Sequence, residues 1–365
     1  MAPVQTPVLN VAIVGCGEIA MTTHLPTLLL CSQWYRTVAI CDISQEALDH
    51  CARKFHVPKT YLDVRTMLSQ SPEIDLVMVM NANEYHCDHA ILALQAGKHV
   101  FVEKPMAICF SEAERLEAAA KAAGKVVFIG YMRRYASAFL RVKELVAAQK
   151  SISYVRVRDI IGMNHIFVDQ NGTYPKKFTD DIPSSATEER TALSKAQHEE
   201  ALGVKRAGNP SDMLAWMLLN GLSSHDLSAM RELIGMPSAC LSATMNGLFM
   251  TALFQYDGFV ASYEVGLDMV AKFDASIEIF GADKRITIEY DTPYVKGLAI
   301  KAVVLSAKEN GDYSEEIIRP TYTDAYSLEY EELYKAITEG AQVKTSVMDA
   351  IEDLKIMTMI MEKLP

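Results

Sequence analysis

The feature that most constrains this chain is a glycine turn set directly after an apolar run near its start. Leu9–Val14 is β-rich, and Gly15-Cys16-Gly17-Glu18-Ile19-Ala20 follows it and opens a helical stretch from about Glu18 to Leu30. This is the G-x-G-x-x-A form of the dinucleotide fingerprint, in the strand-turn-helix context that gives it meaning. Gly15 permits the tight turn, Gly17 lets the backbone approach a pyrophosphate, and Ala20 is small enough for the helix to pack close to the sheet. Glu18 and Ile19 complete the turn. A diphosphate there would face amide donors at the positive end of a helix.

The pattern after the turn repeats the same rhythm. Val38–Cys41, Leu76–Met80, Val100–Val102 and Val126–Ile129 are short apolar runs separated by helical segments, including one opened by Ser44 and one over His89–Gln95. Ser111-Glu112-Ala113-Glu114 reads as a capping box for an Ala-rich helix ending near Gly124. Strands apolar on both faces and joined by helices form a parallel sheet covered on both sides. Residues 1–131 are therefore read as a doubly wound parallel Rossmann domain. Beyond Tyr131, closely spaced strands at Ser153–Ile161, Leu241–Met245, Phe249–Gln255, Phe259–Val265, Ser276–Phe280 and Arg285–Tyr290 indicate a mostly antiparallel sheet. With the helical tail Ser327 to Leu364, residues 132–365 form a second, α+β domain. At 365 residues, two domains are also what chain length predicts. A polar insert, 165–212, fits neither pattern; a helix starts at its own capping box, Ser185 to Glu188, and stops at Gly203. It reads either as a surface flap or as a lid over substrate.

Composition narrows the partners. Asp plus Glu is 46 against 35 Lys plus Arg, giving a formal charge of −11 with no long basic run, a poor match to nucleic acid. No apolar stretch is long enough to span a bilayer, and the first residues lack a secretory pattern. The seven cysteines are scattered without a Cys-x-x-Cys pair, so no disulfide framework or metal site is predicted. A reduced, cytoplasmic protein with neither membrane nor nucleic acid as partner is the expectation. The methionines, 19 in all, read as core filling.

Three further strand ends point to one crevice, since ligands of open α/β sheets lie outside the carboxyl ends of the strands. Asp42 ends the second strand, where a carboxylate accepts from a ribose 2′-OH and repels a 2′-phosphate, favouring NAD over NADP. Met80 leads into Asn81-Ala82-Asn83-Glu84-Tyr85-His86, and Val102 leads into Glu103-Lys104-Pro105. A lysine fixed after a buried strand can polarise a substrate oxygen or share in proton transfer. Asn164 and His165 follow a strand and are candidates to face substrate. His24 is a weaker candidate, and His50, His56, His89 and His198 read as surface residues.

These stretches, with Ala96-Gly97-Lys98-His99 before Val100 and with Gly130-Tyr131-Met132-Arg133-Arg134-Tyr135, resemble the Gfo/Idh/MocA oxidoreductases, and the last looks like the inositol dehydrogenase branch. Glu332-Leu333 and Ser346 to Ala350 extend the likeness to nearly the whole chain, outside 165–212. The resemblance implies Lys104 near the nicotinamide and the reacting hydroxyl, with Asn83, His86 and Glu103 lining the cofactor. It implies Arg133 beside cofactor or an oxygen-rich substrate, and a homodimer or homotetramer built on a large open sheet in the second domain. Family dehydrogenases commonly carry Asp-x-x-x-His on a helix of the second domain, where the Asp orients the imidazole base. Here His225 matches the histidine but Gly221 stands at the Asp position, and Asp226 points about 100° away on a helix. Asp180, Asp181 or Asp212 of the insert are candidates to replace it.

The expectation is an NAD(P)-dependent dehydrogenase acting on a secondary hydroxyl of a sugar, cyclitol or related polyol, with Lys104 and His225 catalytic. The missing aspartate keeps open a redox-neutral enzyme using bound NAD for transient oxidation. A non-catalytic dinucleotide-binding regulator is the third reading.

Overall fold

The computed structural model describes residues 7–365, which fold as two compact units. The first comprises residues up to 130 together with 173–208 and 330–351; the second comprises 131–172, 209–329 and 352–365.

In the first unit, β1 (Leu9–Val14), β2 (Tyr35–Cys41), β3 (Lys59–Tyr61), β4 (Leu76–Val79), β5 (His99–Glu103) and β6 (Val127–Gly130) form a sheet of order β3-β2-β1-β4-β5-β6. Every pairing in it is parallel. Strands β1, β4, β5 and β6 are buried almost throughout, as their apolar runs require when helices cover both faces. The covering helices are α1 (Leu25–Leu30), α2 (Gln45–Phe55), α3 (Val64–Gln70), α4 (His86–Gln95) and α5 (Phe110–Ala123). A π turn, Ala20–His24, leads into α1, so the predicted first helix forms with one widened turn. β3 and α3 were not marked by the sequence pattern, being short and only partly apolar.

The strand order reverses between β1 and β4, and there the two strand ends nearly touch. Gly15 has φ +101°, and a Cβ on it would lie 2.6 Å from the backbone N and Cα of Asn81. Only glycine fits both the backbone conformation and the space.

Two segments remote in sequence complete this unit. Tyr330 packs against Phe101, and the Tyr35 hydroxyl donates to its carbonyl oxygen at 2.7 Å. Tyr334 stacks on Trp34, while Ile129 N–H donates to Thr345 O at 2.9 Å. The polar segment 173–208 docks through α8 (Ser184–Ala207), which breaks at Gly203 (φ 75°, ψ 151°) as the sequence suggested.

The predicted capping boxes are corrected here. The N-cap of α5 is Cys109, not Ser111, and the Ser111 N–H and hydroxyl donate to the Glu200 carboxylate at 3.0 and 2.6 Å. Pro183 caps α8 with no side-chain bond. In the first case a carboxylate from the docked segment takes the role that Glu114 was given.

The second unit carries β7 (Ile152–Gly162), β8 (Ala239–Asn246), β9 (Phe249–Gln255), β10 (Val260–Asp268), β11 (Phe273–Gly281), β12 (Lys284–Tyr290), β13 (Lys301–Ala307) and β14 (Tyr313–Ile318). They form a sheet of order β14-β13-β12-β11-β7-β10-β9-β8, antiparallel except where β10 runs parallel to β7. The buried face alternates with one laced by ion pairs such as Arg158 with Glu264 and Asp274. The helices of the unit include α6 (Ser137–Ala147), α7 (Asn164–Val168), α9 (Pro210–Leu218) and α10 (Ser224–Ile234). Among the described residues all seven cysteines are buried thiols, and no helix is long and apolar enough to cross a membrane.

The close approach at Gly15 makes a direct prediction. Gly15→Ala should destabilise the fold by about 2–4 kcal/mol, because both strain and overlap with backbone must be relieved. A denaturant melt that matches the unsubstituted protein would contradict this.

Candidate active site

The turn after β1 leaves its backbone open. Gly17 is exposed, and a Cβ there would meet nothing within 4 Å, so the backbone lies open beside the sheet edge. Asp42, at the end of β2, braces it: one carboxylate oxygen accepts from Cys16 N–H at 2.7 Å and the other from Ser44 N–H at 2.9 Å. The carboxylate thus stands across the turn, half-buried. An open glycine turn, a helix N-terminus and a carboxylate at the next strand end are the donor and acceptor set that a dinucleotide requires, and these residues fit one.

The ends of β4 and β5 are locked to each other. The fully buried His86 ring lies 2.8 Å from Pro105 O and 3.1 Å from Asn81 O. Burial lowers its pKa against the pull of both carbonyls. Asn81 Nδ2 donates to His89 Nδ1 at 3.0 Å, and burial pushes the His89 pKa down to about 4. His86 therefore holds the loop of Asn81 against the loop of Lys104, and Asn83 is exposed in the short helical turn before α4.

Glu103 is buried with both oxygens in use. One is 2.8 Å from His24 Nε2 and the other accepts from Lys104 N–H at 2.9 Å. Burial raises its pKa, but His24, Lys104 and these bonds bring it below the ordinary value. His24 is fully buried, with Tyr330 OH on its other nitrogen at 2.5 Å. The chain Tyr330–His24–Glu103 fixes the backbone from which the half-buried Lys104 side chain leaves the sheet. The Lys104–Pro105 peptide is cis. His24, a weak candidate from sequence, is thus a positioning residue.

In the second unit Arg133 is buried and its charge is met internally. Its guanidinium pairs with Asp159 at 3.1 Å and with Asp226, and packs on the rings of Tyr290 and Phe273 at 5.0 and 5.5 Å. Burial works against the guanidinium, yet the two aspartates raise its pKa further. Arg133, expected beside the cofactor or an oxygen-rich substrate, stands in a buried Asp159–Arg133–Asp226 cluster. Asp226 lies next to His225 on α10, so this cluster anchors the helix that carries the imidazole. His225 itself is half-buried.

Leu219–Ser223, which carries Gly221, is a π turn with i→i+5 bonding that runs directly into α10 and His225. Gly221 is exposed, and a Cβ there would meet nothing within 4 Å. Among the proposed replacements, Asp181 is held in the first unit by Glu46 N–H at 2.9 Å, Asp180 accepts from the Thr179 hydroxyl at 3.2 Å, and Asp212 is buried in the first turn of α9. Asn164 and His165 open α7, half-buried and exposed respectively. His198 is buried and His50 and His89 partly so, which corrects their surface assignment; His56 is exposed.

Sequence reasoning missed Glu84, Glu112 and Gln197 as supports. Gln197 Nε2 donates to Glu84 O at 2.8 Å and to Glu112 Oε1 at 2.5 Å, and Arg190 pairs with the Glu84 carboxylate at 3.1 Å. Glu84 and Glu112 stand in stretches singled out for other reasons and Gln197 on a polar helix outside any motif; only the burial of their polar side chains marks them.

The fold and the turn together define a chain with a dinucleotide-type Rossmann unit followed by an α+β unit. Residues 9–131 match the GFO_IDH_MocA model, described as an oxidoreductase family with an NAD-binding Rossmann fold. The chain is 32% identical over 157 residues to the 1-carboxy-3-chloro-3,4-dihydroxycyclo hexa-1,5-diene dehydrogenase of Comamonas testosteroni. It is 35% identical over 143 residues to the inositol 2-dehydrogenase of Salmonella typhimurium. These matches cover 43% and 38% of this chain and span only 38% and 41% of the relatives' own lengths. The structure of myo-inositol 2-dehydrogenase from Lactobacillus plantarum superimposes with a TM-score of 0.69 at 19% identity, covering 98% of this chain and 97% of that one, so the two share a fold throughout.

The buried cluster yields a pH prediction. Burial, aided by Asp159, raises the Asp226 pKa well above its ordinary value despite Arg133. An acid whose folded pKa is raised contributes its full stability below its unfolded pKa, and that contribution declines by about 1.4 kcal/mol per pH unit from there up to the folded value. Asp226→Asn, which mimics the neutral acid, should flatten this decline and should melt closer to the unsubstituted protein than Asp226→Ala does. Equal alkaline sensitivity in Asp226→Asn would contradict the assignment.

Proposed function

We propose that this chain is an NAD-dependent dehydrogenase that oxidises a secondary ring hydroxyl of a cyclitol, sugar or related polyol, or reduces the corresponding ketone. The observation that carries the reading is the Gly15–Ala20 turn at the strand-order reversal, with Lys104 held at a neighbouring strand end by the Tyr330–His24–Glu103 chain. When bound, a nicotinamide dinucleotide supplies the hydride acceptor or donor. Asp42 supports NAD over NADP, because a second negative charge beside its carboxylate is unfavourable. Inositol and the dihydroxycyclohexadiene of the two relatives are both hydroxylated six-carbon rings, which supports the substrate class.

Lys104 polarises the substrate oxygen with its ammonium, and His225 takes the hydroxyl proton in the oxidative direction. The imidazole works without the customary aspartate one turn before it, and the anchored Asp226 fixes its helix instead.

A panel of cyclitols and aldoses assayed for accumulation of reduced nicotinamide tests the reading. Lys104→Ala and His225→Ala should each lower kcat by about 10²–10⁴-fold. Full activity in both variants would overturn the assignment of these residues. Substrate conversion with no net reduced cofactor would overturn net oxidation in favour of a redox-neutral reaction.

A further inference from the structure

We propose that Asp181, carried by the 173–208 segment onto the N-terminus of α2, is a specificity-determining residue that excludes a 2′-phosphorylated dinucleotide. The inference rests on the reading that the Gly15 turn and Asp42 hold a dinucleotide, and it adds a determinant that lies outside every motif of the Rossmann unit.

The N-terminus of α2 follows β2, with its N-cap Ser44 two residues after Asp42. A helix N-terminus ordinarily offers unpaired backbone donors, and its positive end, to a phosphate. Here the chain's own groups have taken them. Ser44 N–H donates to Asp42 Oδ1 at 2.9 Å, Glu46 N–H to Asp181 Oδ2 at 2.9 Å, and Ala47 N–H to the Ser44 hydroxyl at 3.0 Å. Two carboxylates therefore share donors two residues apart on one helix end. A phosphate arriving there brings about 1.5–2 further negative charges against both. A ribose 2′-OH is neutral and needs only an acceptor, which Asp42 provides.

Asp181 is not a passing surface contact. The segment that bears it runs back along α2 in steps of one helical turn. Lys54 donates its ammonium proton to Thr173 O, the His50 ring lies 5.4 Å from Phe178, and Glu46 meets Asp181. Residues 54, 50 and 46 share one face of α2. Beyond Pro183 the segment enters α8, which Gln197, Arg190 and Glu200 fix to Glu84, Glu112 and Ser111. The cations on this side, Arg53, Lys54 and Lys176, gather around His50, whose pKa burial and these charges lower, while the Asp181 carboxyl is held below its usual value by Glu46 N–H. Negative charge is thus concentrated at the first turn of α2 and positive charge farther along it.

Fluorescence titration of the full chain with NADH and NADPH reads the proposal directly, independent of turnover. Asp181→Asn keeps an oxygen for Glu46 N–H while removing the charge, and Asp181→Ser is a second variant that keeps an acceptor. In both, NADPH should bind about tenfold tighter while NADH stays within about twofold. A merely structural role would move both nucleotides together. An unchanged NADPH to NADH ratio with NADH still bound would overturn the role of Asp181 and leave the dinucleotide reading intact. Failure of the unsubstituted protein to bind either nucleotide would overturn both.

Discussion

Two strand ends that pass within van der Waals contact govern the first unit. β1 turns away at Gly15 where β4 turns at Asn81, and no side-chain atom fits between them. The strands diverge from that point because the sheet order reverses there, which opens the crevice in which ligands of doubly wound sheets bind. The open space at Gly17 and the brace from Asp42 to Cys16 N–H both follow from the path that Gly15 allows. If the two ends moved apart, the turn, the carboxylate and the Asn81 loop would lose their common reference.

Around this crossing the chain buries acidic side chains among the apolar ones. Glu103, Glu84 and Glu112 are buried, and each is satisfied by a named donor: His24 and Lys104 N–H, Arg190, and Gln197 with Ile108 N–H. Buried charge is tolerable only with such partners, and removing one partner costs more than the pair gains. The result is a rigid edge whose exposed functional atoms are few. The same logic holds in the second unit, where Asp159, Arg133 and Asp226 neutralise one another beneath the helix bearing His225.

Much of this was legible in the sequence. The apolar runs at β1, β4 and β5 are continuous because both faces are covered, and the glycine turn and Glu-Lys-Pro element stand at their ends. The docking of 173–208 was not legible, because α8 attaches through Gln197, Arg190 and Glu200 and has no apolar stripe to betray its buried face. Ser111 matched a local capping pattern, but Glu200, distant in sequence, supplied the acceptor. The π turn at 219–223 was not legible either, because a four-residue spacing is compatible with both helical geometries. The return of Tyr330 to the first unit is set by aromatic packing around His24 that no local window contains.

A crystal structure of the NAD⁺ complex tests the central claim most directly. The account predicts the pyrophosphate against the backbone of Gly15–Ala20, with the adenosine ribose hydroxyls on Asp42 and the segment bearing Asp181 still seated on α2. A dinucleotide bound away from that turn, or a turn that remains empty at saturating NAD⁺, would contradict it.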